Sequence, residues 1–184
     1  DLNRNYSYMW AYDDEGSSPD PCNETYRGSG PFSEPESQSI RDFVELHNFP
    51  IALNYHSYSN LLIYPYGYEY ENSAPEEDIE IFIEYGEDMV QYNDYELGTG
   101  TELLYAVNGE ACDWMYGVHN VFAYTPEIGS SSDGFWPETN RILPLAQENL
   151  YPNQVLALNS GSRFNVEAYL GSDNSLFEVG ELYP

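Results

Sequence analysis

Helical and extended spacings of apolar residues alternate along this chain. The first thirty residues are polar, rich in Ser, Gly, Pro and Asp, and read as loop. Ser33-Glu34-Pro35-Glu36 then starts a helix, with a serine to cap it, proline where its missing N–H costs nothing, and acids in the first turn. Ile40, Phe43 and Val44 follow at helical spacing, and the helix stops before Asn48-Phe49-Pro50. Strands are expected over about 50–56 and 60–64. Pro75-Glu76-Glu77-Asp78 begins a second helix, with Ile79, Ile81, Phe82, Met89 and Val90 on its apolar side and acids outside. A short strand near 97–100 comes next, then one or two helical turns from Ala111 to Tyr116. The β-type run Val121-Phe122-Ala123-Tyr124-Thr125 ends at Pro126-Glu127. A last helix covers about 141–157, with Pro144 in its first turn and a kink at Pro152. Strands alternating with helices predict an α/β fold. From Gly161 onward, Gly, Ser and Asn punctuate short apolar runs (Phe164 to Leu170, Leu176 to Val179), which reads as a linker and the start of a separate β-rich module.

Composition narrows the function classes. At 184 residues, 41% hydrophobic and 16% aromatic, the chain can bury a core and is not an acidic disordered tail. Its 32 acids face five arginines and no lysine, a formal charge of -27. That surface repels phosphate backbones and anionic lipid, so neither nucleic acid nor a membrane is expected as a partner. It would keep a protein soluble where salt screens self-repulsion, as in a saline setting. The run Glu76, Glu77, Asp78, Glu80, Glu84, Glu87 and Asp88 reads as a solvated face rather than a metal site. Cys22 lies in a polar loop, where pairing with Cys112 or with a cysteine outside this chain both remain open. There is no membrane-spanning stretch. The chain begins without methionine, so the lack of a leader says nothing about secretion.

His56 is the first candidate for chemistry. It follows Pro50-Ile51-Ala52-Leu53, where a short buried strand delivers its end to a surface, and open sheets place their sites at the carboxyl ends of strands. Alone, such a histidine is more often structural than a ligand. His47 and His119 read as ordinary helix-end residues, and no sequence neighbour makes Cys22 or Cys112 a thiol nucleophile.

The company of His56 changes its weight. Asp1-Leu2-Asn3-Arg4-Asn5, Glu24-Thr25-Tyr26-Arg27-Gly28 with Phe32-Ser33-Glu34-Pro35-Glu36, His56-Ser57-Tyr58-Ser59 with Leu61 to Tyr68, Leu104-Tyr105-Ala106-Val107-Asn108-Gly109 with Asp113-Trp114, and Tyr124-Thr125-Pro126-Glu127-Ile128-Gly129 with Gly134-Phe135-Trp136-Pro137 stand in one order. Together these segments resemble the zinc metallocarboxypeptidases of the carboxypeptidase A, B and T type. The resemblance implies a mixed sheet flanked by helices, an α/β/α sandwich, over residues 1–160, with the module of 161–184 outside it. It also implies a secreted, monomeric enzyme with a Zn2+ ion and peptide or protein C-termini as substrate. In that setting His56 would ligate the zinc, and Glu127 would take a proton from the zinc-bound water and pass it to the leaving amine. Arg4 and Asn3 would clamp the terminal carboxylate, for which a bidentate, permanently charged guanidinium is suited. Tyr105 would close over the substrate, with Ser57 and Tyr58 among the substrate-binding residues. Cys112 would sit at the floor of the side-chain pocket, with Asn54, Ile63, Gly67, Gly100, Leu104, Val107 and Thr125 on its walls. A neutral thiol there favours apolar or aromatic side chains, whereas the nearby Glu110 argues for tolerance of Lys or Arg, so broad specificity with an apolar bias is expected.

The resemblance also exposes a gap. Two further zinc ligands would come from a His-x-x-Glu motif, yet three residues beyond His47, His56 and His119 stand Pro50, Ser59 and Phe122. The chain is therefore expected to be the C-terminal part of a catalytic domain that alone neither holds catalytic zinc nor cleaves peptides, exposes apolar strand edges and folds poorly. Two alternatives accompany the exopeptidase reading. A peptidoglycan peptidase or deacylase is disfavoured by the intact Asn3/Arg4 clamp, and a non-catalytic binding homologue would require a degenerate upstream motif.

Overall fold

A computed structural model describes residues 1–161. The expected module lies almost wholly outside these residues. A 3-10 turn at Leu2–Arg4 is followed by loop, then by α1 (Pro35–Leu46), β1 (Ile51–Leu53), β2 (Leu61–Tyr64), α2 (Glu76–Met89), β3 (Glu96–Thr99), α3 (Gly100–Leu103), α4 (Ala111–His119), β4 (Phe122–Glu127), α5 (Thr139–Glu148) and α6 (Leu150–Asn159).

The four strands form one mixed sheet in the order β1-β4-β2-β3. β1 and β4 run parallel, with Leu53 opposite Tyr124; β2 is antiparallel to β4 and parallel to β3. Alternation across the sheet builds two cores. Ile51, Leu62, Tyr64 and Tyr124 face one side, where Phe82, Tyr85 and Met89 of α2 and Val155 of α6 cover them. Ala52 and Ala123 face the other, against Val44 of α1, Trp114 and Met115 of α4, and Tyr6 from the N-terminal loop. Burying both faces explains the near-continuous apolar strands. The outer edge of β1 has no strand partner among the described residues. Beside it an apolar cavity of about 380 Å³ is lined by Ile40, Phe43, Phe49 and Leu53, with Phe43 54% exposed.

Several boundaries differ from expectation. The strand expected over 50–56 is regular only to Leu53; His56 rejoins β4 through a single bridge to Glu127. Ser33 does not cap α1. The cap is Glu34, without a side-chain bond, and it is the distant Asn5 whose Oδ1 accepts from the Glu34 N–H at 3.2 Å and from the Ser37 hydroxyl at 2.6 Å. The last helix is two helices divided at Asn149, and Pro144 lies inside α5 rather than in its first turn. Cys22 is exposed and Cys112 buried, each with a free thiol, so they do not pair with each other.

Candidate active site

The carboxyl ends of β1 and β4 open beside the Leu2–Arg4 turn and the loop after α3, as the rule for open sheets places a site. Parallel pairing carries His56 and Glu127 out together. The His56 N–H donates to the Pro126 carbonyl at 2.9 Å and the Ile128 N–H to the His56 carbonyl at 3.0 Å. The imidazole Nδ1 lies 3.7 Å from Glu127 Oε1, and Nε2 lies 3.1 Å from Asn54 Nδ2. Burial, and secondarily the positive field of Arg4, lowers the His56 pKa and favours the neutral, ligand-competent ring. Desolvation, with the field of Glu110 second, raises Glu127 to about 7.

Arg4 is only 6% exposed. Its Nη1 donates to the Asn3 carbonyl at 2.8 Å and lies 3.6 Å from Asp1 Oδ2, while its buried Nε has no acceptor among the described residues. Asn3 itself is turned to structure, its Oδ1 accepting from the Ala111 N–H at 3.0 Å. Tyr105 stands 58% exposed on the crest after α3.

These groups share one cavity of about 340 Å³. His56, Glu127, Arg4, Asn3, Tyr105 and Ser57 line it, together with Ile63, Gly100, Leu104, Val107, Glu110 and Thr125. Four expected residues lie outside the lining. Cys112 sits behind Thr125 with its Sγ 3.1 Å from the threonine hydroxyl, and Asn54 lies behind His56. Gly67 backs onto Glu110, whose Oε1 would be 2.3 Å from an added Cβ, and Tyr58 packs edge-on to Phe135. Burial raises Cys112 well above the ordinary thiol range, keeping it neutral. Glu110 and Asp113 are both raised as well, chiefly by burial, which favours holding at least one proton between them. Sequence reasoning did not assign Asp1, Glu24, Thr25 or Phe135 to the cavity, although all four line it. All four fall inside motifs quoted above, and only their approach in space puts them in the cavity.

The neutral imidazole of His56 has the chemistry of a metal ligand. Among the described residues no group of three or more His, Cys, Asp or Glu is arranged to hold an ion. Among the same residues no helix is long and apolar enough to cross a membrane.

Carboxypeptidase B of Astacus astacus is 34% identical over 164 residues, covering 85% of this chain and 54% of its own length. Zinc carboxypeptidase A 1 of Anopheles gambiae is 35% identical over 178 residues, covering 89% of this chain and 39% of its own. Among solved structures, bovine thrombin-activatable fibrinolysis inhibitor in complex with tick carboxypeptidase inhibitor superposes with a TM-score of 0.77 at 28% identity, over 86% of this chain and 56% of that one. The carboxypeptidase A from Helicoverpa armigera gives 0.76 at 29% identity, over 87% of this chain and 41% of that one. The chain thus spans about half the length, or less, of the relatives it matches. The zinc carboxypeptidase family pattern runs through residues 1–152, and it is to this family of hydrolytic peptidases that the chain belongs.

Proposed function

We propose that this chain supplies the carboxylate clamp, the proton-transfer group and one zinc ligand of an exopeptidase that removes the C-terminal residue of peptides and proteins. The observation that carries this reading is the convergence of Arg4, Tyr105, His56 and Glu127 on one cavity from four separate segments. The buried Nε of Arg4, unpaired among the described residues, is a donor free for an anion, and Arg4 lines the same cavity as Tyr105, which supports their joint role on a terminal carboxylate. Glu127 at about 7 can accept a proton from the attacking water at its Oε atoms and return it to the leaving amine. Zinc, when bound by His56 together with ligands from outside this chain, would supply Lewis acidity. The neutral thiol of Cys112 behind Thr125 supports a preference for an apolar or aromatic side chain, and Glu110 in the cavity lining extends the range toward basic ones.

The full-length protein is expected to cleave a peptide with a free terminal carboxylate and to spare the same peptide amidated at its C-terminus. Equal cleavage of both would overturn the assignment. The 184-residue chain alone is expected to bind no stoichiometric zinc by elemental analysis.

A further inference from the structure

The loop bearing Tyr105 is held very unevenly. Its crest, Leu104 and Tyr105, is exposed, whereas the residues just beyond are pinned in four places. The Val107 N–H donates to the Gly67 carbonyl at 2.8 Å, the Asn108 N–H to the Gly16 carbonyl at 3.3 Å, and the Tyr6 N–H to the Gly109 carbonyl at 2.9 Å. The fourth pin is the Asn108 side chain, which is 1% exposed. Its Nδ2 donates to Asp13 Oδ1 at 2.7 Å, and its Oδ1 accepts from the buried Ser17 hydroxyl.

This foot reaches the Asp13–Arg27 loop rather than the body of the sheet. Asp13 Oδ1 also accepts from the backbone N–H groups of Glu15 at 3.0 Å and Gly16 at 2.8 Å. Arg27 donates to the Asp13 carbonyl at 2.9 Å and to the Ser17 hydroxyl oxygen at 3.3 Å, and pairs with Asp14 at 2.9 Å. The result is a donor chain from Arg27 through Ser17 and Asn108 to Asp13, buried where such links reinforce one another. The foot also abuts the clamp. Gly109 sits at φ +72 with its Cα so near the Arg4 carbonyl that a Cβ would be 2.7 Å from that oxygen. A Cβ on Gly16 would be 2.5 Å from Asn108 Nδ2, so the contact admits only glycine there.

We propose that Asn108 is a positioning residue for Tyr105: by tying the foot of the loop to Ser17 and Asp13, it fixes the height of the tyrosine over the carboxylate held by Arg4. The assignment rests on the exopeptidase reading above. Motion of the loop is then confined to Leu104–Ala106, and loss of the tie costs substrate binding rather than the chemical step.

The test is made in the full-length protein with an N-acylated dipeptide bearing a free C-terminal carboxylate. Asn108→Asp sets a second carboxylate against Asp13. It is expected to speed amide exchange at Val107 and Asn108 and to raise KM about tenfold, the scale of a lost buried hydrogen bond, with kcat within about twofold. Should Asn108→Asp fail to fold, Ser17→Ala removes one link and is expected to move KM in the same direction by a smaller factor. A lower melting temperature with KM unchanged, in either variant, would show a merely structural contact and overturn the proposal. So would a kcat that falls as far as KM rises. A wild-type protein with no peptidase activity would overturn the function itself, a result distinct from both.

Discussion

Glu127 feels burial first and the field of Glu110 second, and both push its pKa upward. A carboxyl raised on folding binds its proton more tightly in the fold. Its stabilising contribution is therefore complete below the unfolded value of 4.5 and lost as pH rises through about 7. Glu127→Gln keeps the shape without the charge. In metal-free protein at pH 8 it is expected to gain about 1 kcal/mol in denaturant unfolding, after allowance for solvent screening, while kcat of the full-length enzyme falls about a thousandfold. Cys112→Asp tests the pocket in the same way. An added charge behind Thr125 is expected to raise the rate on terminal Arg relative to terminal Phe, and an unchanged ratio would remove Cys112 from the pocket. At this scale the chain was most readable. Arg4, His56, Tyr105 and Glu127 sit in short motifs whose residue types the chemistry demands. Asp1 and Glu24 were not readable, because an acid in a strongly acidic chain carries no mark until the fold sets it beside a guanidinium or a cavity.

Elements were legible wherever periodicity was strong. α2, with its acidic first turn and apolar face, falls where its pattern placed it, as do β2 and β4. The misplaced cap of α1 has its cause in a partner distant in sequence. Asn5, fully buried, donates through Nδ2 to the Arg27 and Gly30 carbonyls and to Ser33 Oγ, and serves the start of α1 through Oδ1. No local signal shows that a residue so far upstream replaces Ser33. The α5/α6 break lies one turn before the proline that causes it. The Pro152 ring clashes with the carbonyl four residues back, at Glu148, and its nitrogen offers that carbonyl no donor. Asn149 secures the corner, donating to the Leu145 carbonyl at 2.9 Å and the Tyr95 hydroxyl at 3.0 Å. Asn149→Ala is expected to cost about 1–2 kcal/mol in denaturant unfolding, since it strips a partner from a buried hydroxyl; a loss near zero would show that the prolines alone hold the turn.

Over the whole molecule, 32 acids against five arginines set the response to solution conditions. Self-repulsion opposes compaction, and the raised pKa values of Glu110, Asp113 and Glu127 act in the same direction. The melting temperature is expected to rise on adding about 0.5 M NaCl at pH 8, as screening predicts, and to rise again on lowering the pH toward 6. A flat salt response would mean that the acids are too far apart to repel. Charge was read directly from the sequence; the open side of the sheet could be reasoned only from what the resemblance lacked. That side carries a further consequence. Asn54 and Pro50 bond inward to β4, so Ile51 and Leu53 turn their backbone N–H and carbonyl groups outward, next to exposed Phe43. Two molecules could zip together along this seam, and at low ionic strength only mutual repulsion between polyanions keeps them apart. The same salt that steadies each molecule would then draw molecules into contact, so colloidal stability and conformational stability run in opposite directions, a divergence that light scattering beside a melting curve would reveal.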